Sequence, residues 1–145
     1  MWTVGGGPSK NRKKKPKFKI VDNKVVKIYS EREIQIDCFK WIRLAYPWLI
    51  AFAVPNGGKR NLLEAVDLKR QGVLAGIPDI FIAFPCKGYH GIFIELKTTK
   101  NALSPEQALM IEKLTHQGYY CSVCRSQKDF EETVNWYVRD STEAA

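Results

Sequence analysis

No apolar run in this sequence approaches the roughly 18 to 20 residues that a membrane-spanning helix needs. The start, MWTVGGGPSKNRKKKPKFK, has no apolar stretch ahead of its charges, which argues against a secretory signal and for a cytoplasmic protein. A zinc or disulfide framework is missing as well. Cys121 and Cys124 form one C-x-x-C, but no second pair follows at zinc-finger spacing. That pair lies in YYCSVC, which reads as a strand, where positions three apart face opposite ways. Cys38, Cys86, Cys121 and Cys124 are therefore expected as free thiols. Internal repeats are absent. The 145 residues suit a single domain, and 45% hydrophobic with 12% aromatic residues excludes a disordered chain.

Charge is present, and it is uneven. Residues 1–29 carry nine Lys or Arg and one acid, Asp22, which accounts for the whole formal excess of +8. The rest of the chain is balanced. A run of this kind is either a solvated tail or an arm that adds salt-sensitive, sequence-independent affinity for a polyanion. Lys13, Lys14 and Lys15 lead the second reading, and a neutral body with such an arm suits a protein that acts on nucleic acid.

Beyond the leader, VVKIY suggests a short strand. Ser30 followed by Glu33 is a capping box for a helix over about 31–46, with an apolar face at Ile34, Cys38, Ile42 and Ala45. Glu31 shares that face, whereas Glu33 has the cap as its explanation. WLIAFAV (48–54) reads as a buried strand ending at Pro55, and PNGGKRN as a Gly-rich loop before a second helix, LLEAVDLKRQ. A hairpin follows, with strands near 79–84 and 91–98 around the turn PCKGYHG. Ser104 caps a third helix with Pro105 at its first position and Gly118 as terminator. YYCSVCR is a last strand and 127–138 a last helix. Helix-linked strands favour parallel pairing and the short turn an antiparallel central pair, so the expected class is α/β, a mixed sheet flanked by helices.

The hairpin, GIPDIFIAFPCKGYHGIFIELKTT, carries Asp79, Glu95 and Lys97 among its apolar residues. Ionised groups in a half-buried sheet are costly unless paired or bound to a metal. Alternation puts Glu95 and Lys97 on one face and Ile94 and Leu96 on the other. Folding about residues 87 to 88 brings Asp79 beside residues 95 to 97. Two carboxylates that close repel as bare anions, and a cation such as Mg²⁺ or Mn²⁺ between them removes the conflict. Lys97 is then placed to steady charge developing on a phosphate. The competing reading is a Glu–Lys pair on a solvated face, with Asp79 a turn residue after Pro78.

These residues resemble the PD-(D/E)XK nucleases, and their surroundings resemble the VRR-NUC (virus-type replication-repair nuclease) branch. The likeness rests on S30-E31-x-x-I34-Q35, P55-N56-G57-G58-K59-R60, G76-I77-P78-D79, G88-Y89-H90-G91, I94-E95-L96-K97 and L103-S104-P105-E106-Q107. It implies a restriction-endonuclease-like core over residues 30–140, with 1–29 a flexible basic leader and 141–145 a tail. Asp79, Glu95 and the backbone carbonyl of Leu96 would hold Mg²⁺, with Mn²⁺ as substitute and no organic cofactor. Lys97 would be the catalytic lysine. Glu31 would reach the site directly or through water, and Gln107 would stand near the scissile phosphate, although S-P-E-Q is itself a capping box. Asn56, Gly57, Gly58, Lys59 and Arg60 are candidate DNA contacts or an ordinary Gly turn; Lys69 and Arg70 are weaker candidates. His90 is expected as a turn residue and His116 near a helix end.

The implied activity is metal-dependent endodeoxyribonuclease action on branched DNA, leaving 5′-phosphate and 3′-hydroxyl ends. Stand-alone members resemble homodimeric Holliday-junction resolvases in a bacterial or phage-infected cell. A flap-cleaving or general structure-specific nuclease is the nearest alternative, and a non-catalytic nucleic-acid-binding module the rival of another class.

Overall fold

The computed structural model describes residues 15–55, 61–98 and 100–139. Within the basic leader, Asp22 and Asn23 have positive φ, +48° and +58°. This is the backbone of a two-residue type I′ turn, which Asp and Asn tolerate better than other residues bearing a Cβ. The turn joins β1 (Lys17–Val21) to β2 (Lys24–Ile28) in an antiparallel pair. The expected single strand near VVKIY thus has a partner, and residues 17–28, within the basic leader, form a hairpin. Lys17 and Lys19, interleaved with Phe18 and Ile20, mask the strand pattern.

Helix α1 (Glu31–Ala45) begins at the expected box: the Ser30 hydroxyl accepts from the Glu33 N–H at 3.3 Å, and the Glu33 carboxylate accepts from the Ser30 N–H at 2.9 Å. Its buried face is Ile34, Cys38 and Ile42, while Ala45, expected to extend it, is exposed. There follow β3 (Ala51–Ala53), α2 (Leu62–Arg70), β4 (Ile80–Ile82), β5 (Ile92–Leu96), α3 (Pro105–His116), β6 (Tyr120–Cys124) and α4 (Gln127–Val138). Ser104 caps α3, Pro105 opens it, and Gly118 (φ +89°) ends its last turn in a conformation that L side chains rarely adopt. The four cysteines are free, with Cys38 and Cys124 buried and Cys86 and Cys121 half-buried.

Four strands form the main sheet in the order β3-β4-β5-β6. The pairs β3–β4 and β4–β5 are antiparallel and β5–β6 is parallel. The α3 crossover gives the parallel pair expected of it. The β3–β4 pair corrects the other expectation. Helix α2, unlike α3, does not pack closely on any strand of the sheet, so it does not act as a crossover, and the chain returns beside β3 as from a long loop. WLIAFAV is likewise not a buried strand. Only residues 51–53 pair, at the sheet edge, and Trp48, Ile50 and Phe52 are exposed.

The two sheet faces have different compositions. Ile80, Ile82, Ile92, Ile94 and Leu96 point toward α1 and α4, where they meet Ile34, Cys38, Ile42, Phe130, Val134, Tyr137 and Val138. Each large apolar side chain fully buried there contributes about 1.5–3 kcal/mol. The Tyr137 hydroxyl donates to the Phe84 carbonyl at 2.7 Å, which satisfies a buried polar group. The core therefore lies on one side of the sheet, and the residues between those isoleucines face the other side. Among the described residues no helix is long and apolar enough to cross a membrane.

Candidate active site

The β4–β5 turn passes through Lys87 (φ +52°) and Gly88 (φ +81°). The resulting register pairs Ile80 with Ile94 and places Asp79, one residue earlier, across from Glu95. The Asp79 Oδ2 accepts a hydrogen bond from the Leu96 N–H at 2.8 Å. As alternation requires, Leu96 enters the core while Glu95 faces away from it. Away from the core does not mean into water, because Glu95 is only 2% exposed. Its Oε1 lies 3.2 Å from the Lys97 Nζ and accepts from the Gln107 Nε2 at 2.6 Å. Its Oε2 is buried without a hydrogen-bond partner.

Burial, and then the nearby Asp79 carboxylate, push the Glu95 carboxyl up to about 7, against the opposing pull of Lys97. Asp79 is raised as well, mainly by burial; the Leu96 N–H counteracts this and the Glu31 charge reinforces it. Both shifts disfavour the anions, so the site carries more negative charge than its own donors satisfy.

Gln107 forms the expected capping box and also reaches Glu95. Its Oε1 accepts from the Ser104 N–H at 2.9 Å, completing the capping box, while its Nε2 binds Glu95. Glu31, at the start of α1, accepts from the Thr98 N–H and the Asn101 side-chain amide, each at 3.2 Å. The Arg125 guanidinium in turn donates to the carbonyls of Thr98 and Asn101 at 3.0 and 2.8 Å, fixing the loop that holds Glu31. Neither Arg125 nor Asn101 was singled out by sequence, because their contacts are made by a loop whose path sequence does not give.

Glu31, Asp79, Glu95, Lys97 and Gln107 line one open cleft of about 1410 Å³. Lys69 borders it, so the weaker of the sequence candidates joins the site. His90 does not: its backbone N–H donates to the Gly118 carbonyl at the far end of the hairpin, consistent with a turn residue. The loop residues Asn56, Gly57, Gly58, Lys59 and Arg60, with Lys13 and Lys14, lie outside the described residues; Lys15 is exposed. Phe52, Phe81 and Phe93 also line the cleft, and sequence reading took them only as scaffold.

Comparison with known proteins bears on this arrangement directly. The family model of the VRR-NUC domain matches residues 22–128, which run from the β1–β2 turn into α4. The chain belongs to the VRR-NUC family. A solved structure described as a VRR_NUC domain protein is similar to it at 25% identity, covering 77% of this chain and 90% of that one with a TM-score of 0.65. No curated protein matches. Membership of the VRR-NUC family indicates a nuclease of the PD-(D/E)XK type, with DNA as its substrate. The architecture expected from sequence, a mixed sheet flanked by helices, is the one observed.

PD-(D/E)XK nucleases generally use divalent metal ions. Among the described residues, no three or more His, Cys, Asp or Glu side chains are grouped so as to hold a metal. The fit therefore rests on the Asp79–Glu95 pair, and the pair fits. Glu95 keeps an unpartnered carboxylate oxygen, and burial, reinforced by neighbouring acidic charge, raises both carboxyls, a conflict that a hard cation relieves.

Proposed function

We propose that this VRR-NUC chain is a Mg²⁺-dependent endodeoxyribonuclease that cuts branched DNA, acting as a homodimeric Holliday-junction resolvase. The observation that carries the nuclease chemistry is the carboxylate pair of half-buried Asp79 and buried Glu95, with Lys97 3.2 Å from Glu95 at the floor of an open cleft. Asp79, Glu95 and the Leu96 carbonyl would hold Mg²⁺ or Mn²⁺, with Glu31 joining directly or through water. When bound, the ion supplies Lewis-acid polarisation of the phosphate and a lower pKa for an attacking water.

The chain's own residues do the remaining work. Lys97 places its ammonium where negative charge develops on the phosphate oxygens. Gln107 restrains Glu95 through Oε1 and ties it to the start of α3, so the carboxylate needs little reorganisation during the reaction. The Leu96 N–H orients Asp79. Lys69, at the cleft border, and the loop from Asn56 to Arg60 are proposed to hold the DNA backbone. Junction preference and dimerisation follow the resemblance to the VRR-NUC members that resolve Holliday junctions, and a two-fold dimer presents two sites to a symmetric junction.

Cleavage of four-way junction, flap, nicked and linear DNA, compared side by side with and without chelator, tests the proposal. Preferential, chelator-sensitive cutting of the junction is expected. Equal cutting of junction and linear duplex ends the resolvase claim, and preferential cutting of the flap favours the flap-nuclease reading. Asp79→Ala, Glu95→Ala and Lys97→Ala are each expected to abolish cleavage with DNA binding largely retained. Retained cleavage in all three would take the chemistry away from this site, whereas a wild-type chain that binds DNA and cuts none would leave the binding-module reading.

A further inference from the structure

The sheet face opposite the core carries an aromatic row. Phe52, Phe81 and Phe93 are register partners on β3, β4 and β5, so their rings stand side by side across three strands. Their centroids lie 5.6 Å apart for Phe52–Phe81 and 4.4 Å for Phe81–Phe93, and Tyr119 extends the row, 5.3 Å from Phe93. Gly91 makes room for it: a Cβ there would meet the Phe81 Cε2 and Cζ at 2.9 Å. On the other face the same strands present isoleucines, which a helix covers. Here α2 buries nothing and α3 has no fully buried residue; Phe81 and Phe93 are half-buried and Phe52 is 47% exposed at the sheet edge.

This row and the carboxylates share strands and face. Phe81 follows Asp79 by two residues and Phe93 precedes Glu95 by two, a step of about 6.5–7 Å along each strand. A phosphate at the carboxylates therefore has the rings within reach of the base on its own sugar. Phosphate gains nothing from phenyl rings, and the cleft wall near them is apolar, with Val54, Leu68, Val73 and Ile77. The part of a nucleic acid that matches such a wall is an unstacked base.

We infer that the Phe52–Phe81–Phe93 row is a stacking subsite for an unpaired nucleobase beside the scissile phosphate. The inference rests on the nuclease reading above: the substrate must offer at least one nucleotide free of its partner, as at a flap, a gap or a junction whose branch-point pair has opened. Duplex DNA with every base paired cannot fill the subsite. The row reads stacking rather than hydrogen-bond pattern, so purines and pyrimidines are both accepted.

Two probes of equal length and charge test it on the full chain in chelator: a labelled 15-nucleotide oligothymidylate and the corresponding abasic deoxyribose-phosphate strand. Fluorescence anisotropy is expected to show the thymidylate bound roughly ten-fold tighter or more. Phe52→Leu keeps an apolar side chain at an exposed edge and is expected to remove most of that preference; Phe52→Trp is expected to keep it. Equal affinity for the two probes, or a preference that survives Phe52→Leu, overturns the subsite. So does a Phe52→Leu protein that changes only its sedimentation coefficient, which would make the row a self-association surface. Loss of the preference in Phe52→Leu, together with a wild-type chain that shows the preference but cuts no DNA in Mg²⁺ or Mn²⁺, would sink the nuclease reading and leave the subsite standing. Cleavage by a wild-type chain without the preference would do the reverse.

Discussion

Glu95 concentrates the tension of the site in one side chain. Its folded carboxyl titrates at about 7, above the ordinary 4.5, so between those pH values the folded chain holds a proton that the unfolded chain has released. The stability this contributes is fully present below about pH 4.5 and is lost as pH rises through about 7. In chelator, thermal unfolding is therefore expected to show falling stability from pH 5 to pH 8, by up to about 3 kcal/mol. Glu95→Gln should flatten that dependence and be the more stable protein at pH 8; an unchanged pH profile would mean Glu95 is not the group responsible. Mg²⁺ competes with the same proton, so its addition should raise the melting temperature more at pH 8 than at pH 6. Exposed Glu33 runs the opposite way: the Ser30 backbone N–H, then Lys27, hold it down to about 2. Its contribution is present above the ordinary value of 4.5 and is lost as pH falls through about 2.

The junction of the β4 approach with α3 is set by Gly76. Its φ is +79°, and a Cβ would meet the Glu106 carbonyl oxygen at 2.6 Å. Gly76→Ala combines strain with a backbone clash, and a loss of about 1–3 kcal/mol is expected in denaturant unfolding. Because the clash falls one residue before Gln107, cleavage should fall further than stability alone explains, measured at a temperature where the variant is folded. Sequence made much of this legible. The Pro78-Asp79 entry, the alternation of Ile94, Glu95, Leu96 and Lys97, and the two capping boxes are local signals, and each determines local geometry. What it missed depends on distant packing. Nothing in LLEAVDLKRQ says that α2 would leave the sheet uncovered, so the antiparallel β3 and the open aromatic face were not foreseen. The β1–β2 hairpin was missed for a different reason: its Asp22-Asn23 turn signal was there, hidden among lysines.

At the scale of the molecule, positive charge and the carboxylate site lie in different parts of the chain. The hairpin is fastened to α1 by Lys27, 3.0 Å from Glu33, so deleting residues 1–29 would disturb more than charge. Replacing Lys13, Lys14 and Lys15 by Gln is the cleaner experiment. Weaker binding to every DNA is expected, and the slope of log affinity against log salt should shrink by up to about 3 if all three meet phosphate. An unchanged slope would take these lysines off the DNA. The hairpin between Asp79 and Glu95 also has a consequence in time. These residues are near in sequence, so their strands pair at low loop-closure cost, before the α3 crossover brings β6 alongside β5. The repulsive pair is thus assembled early, while Gln107 is still absent, and charge at Glu95 burdens the first step of sheet formation. Stopped-flow refolding in chelator should therefore be slower at pH 8 than at pH 5, and Glu95→Gln should remove the difference: the carboxylate pair proposed to hold the metal would also slow the assembly of its own sheet.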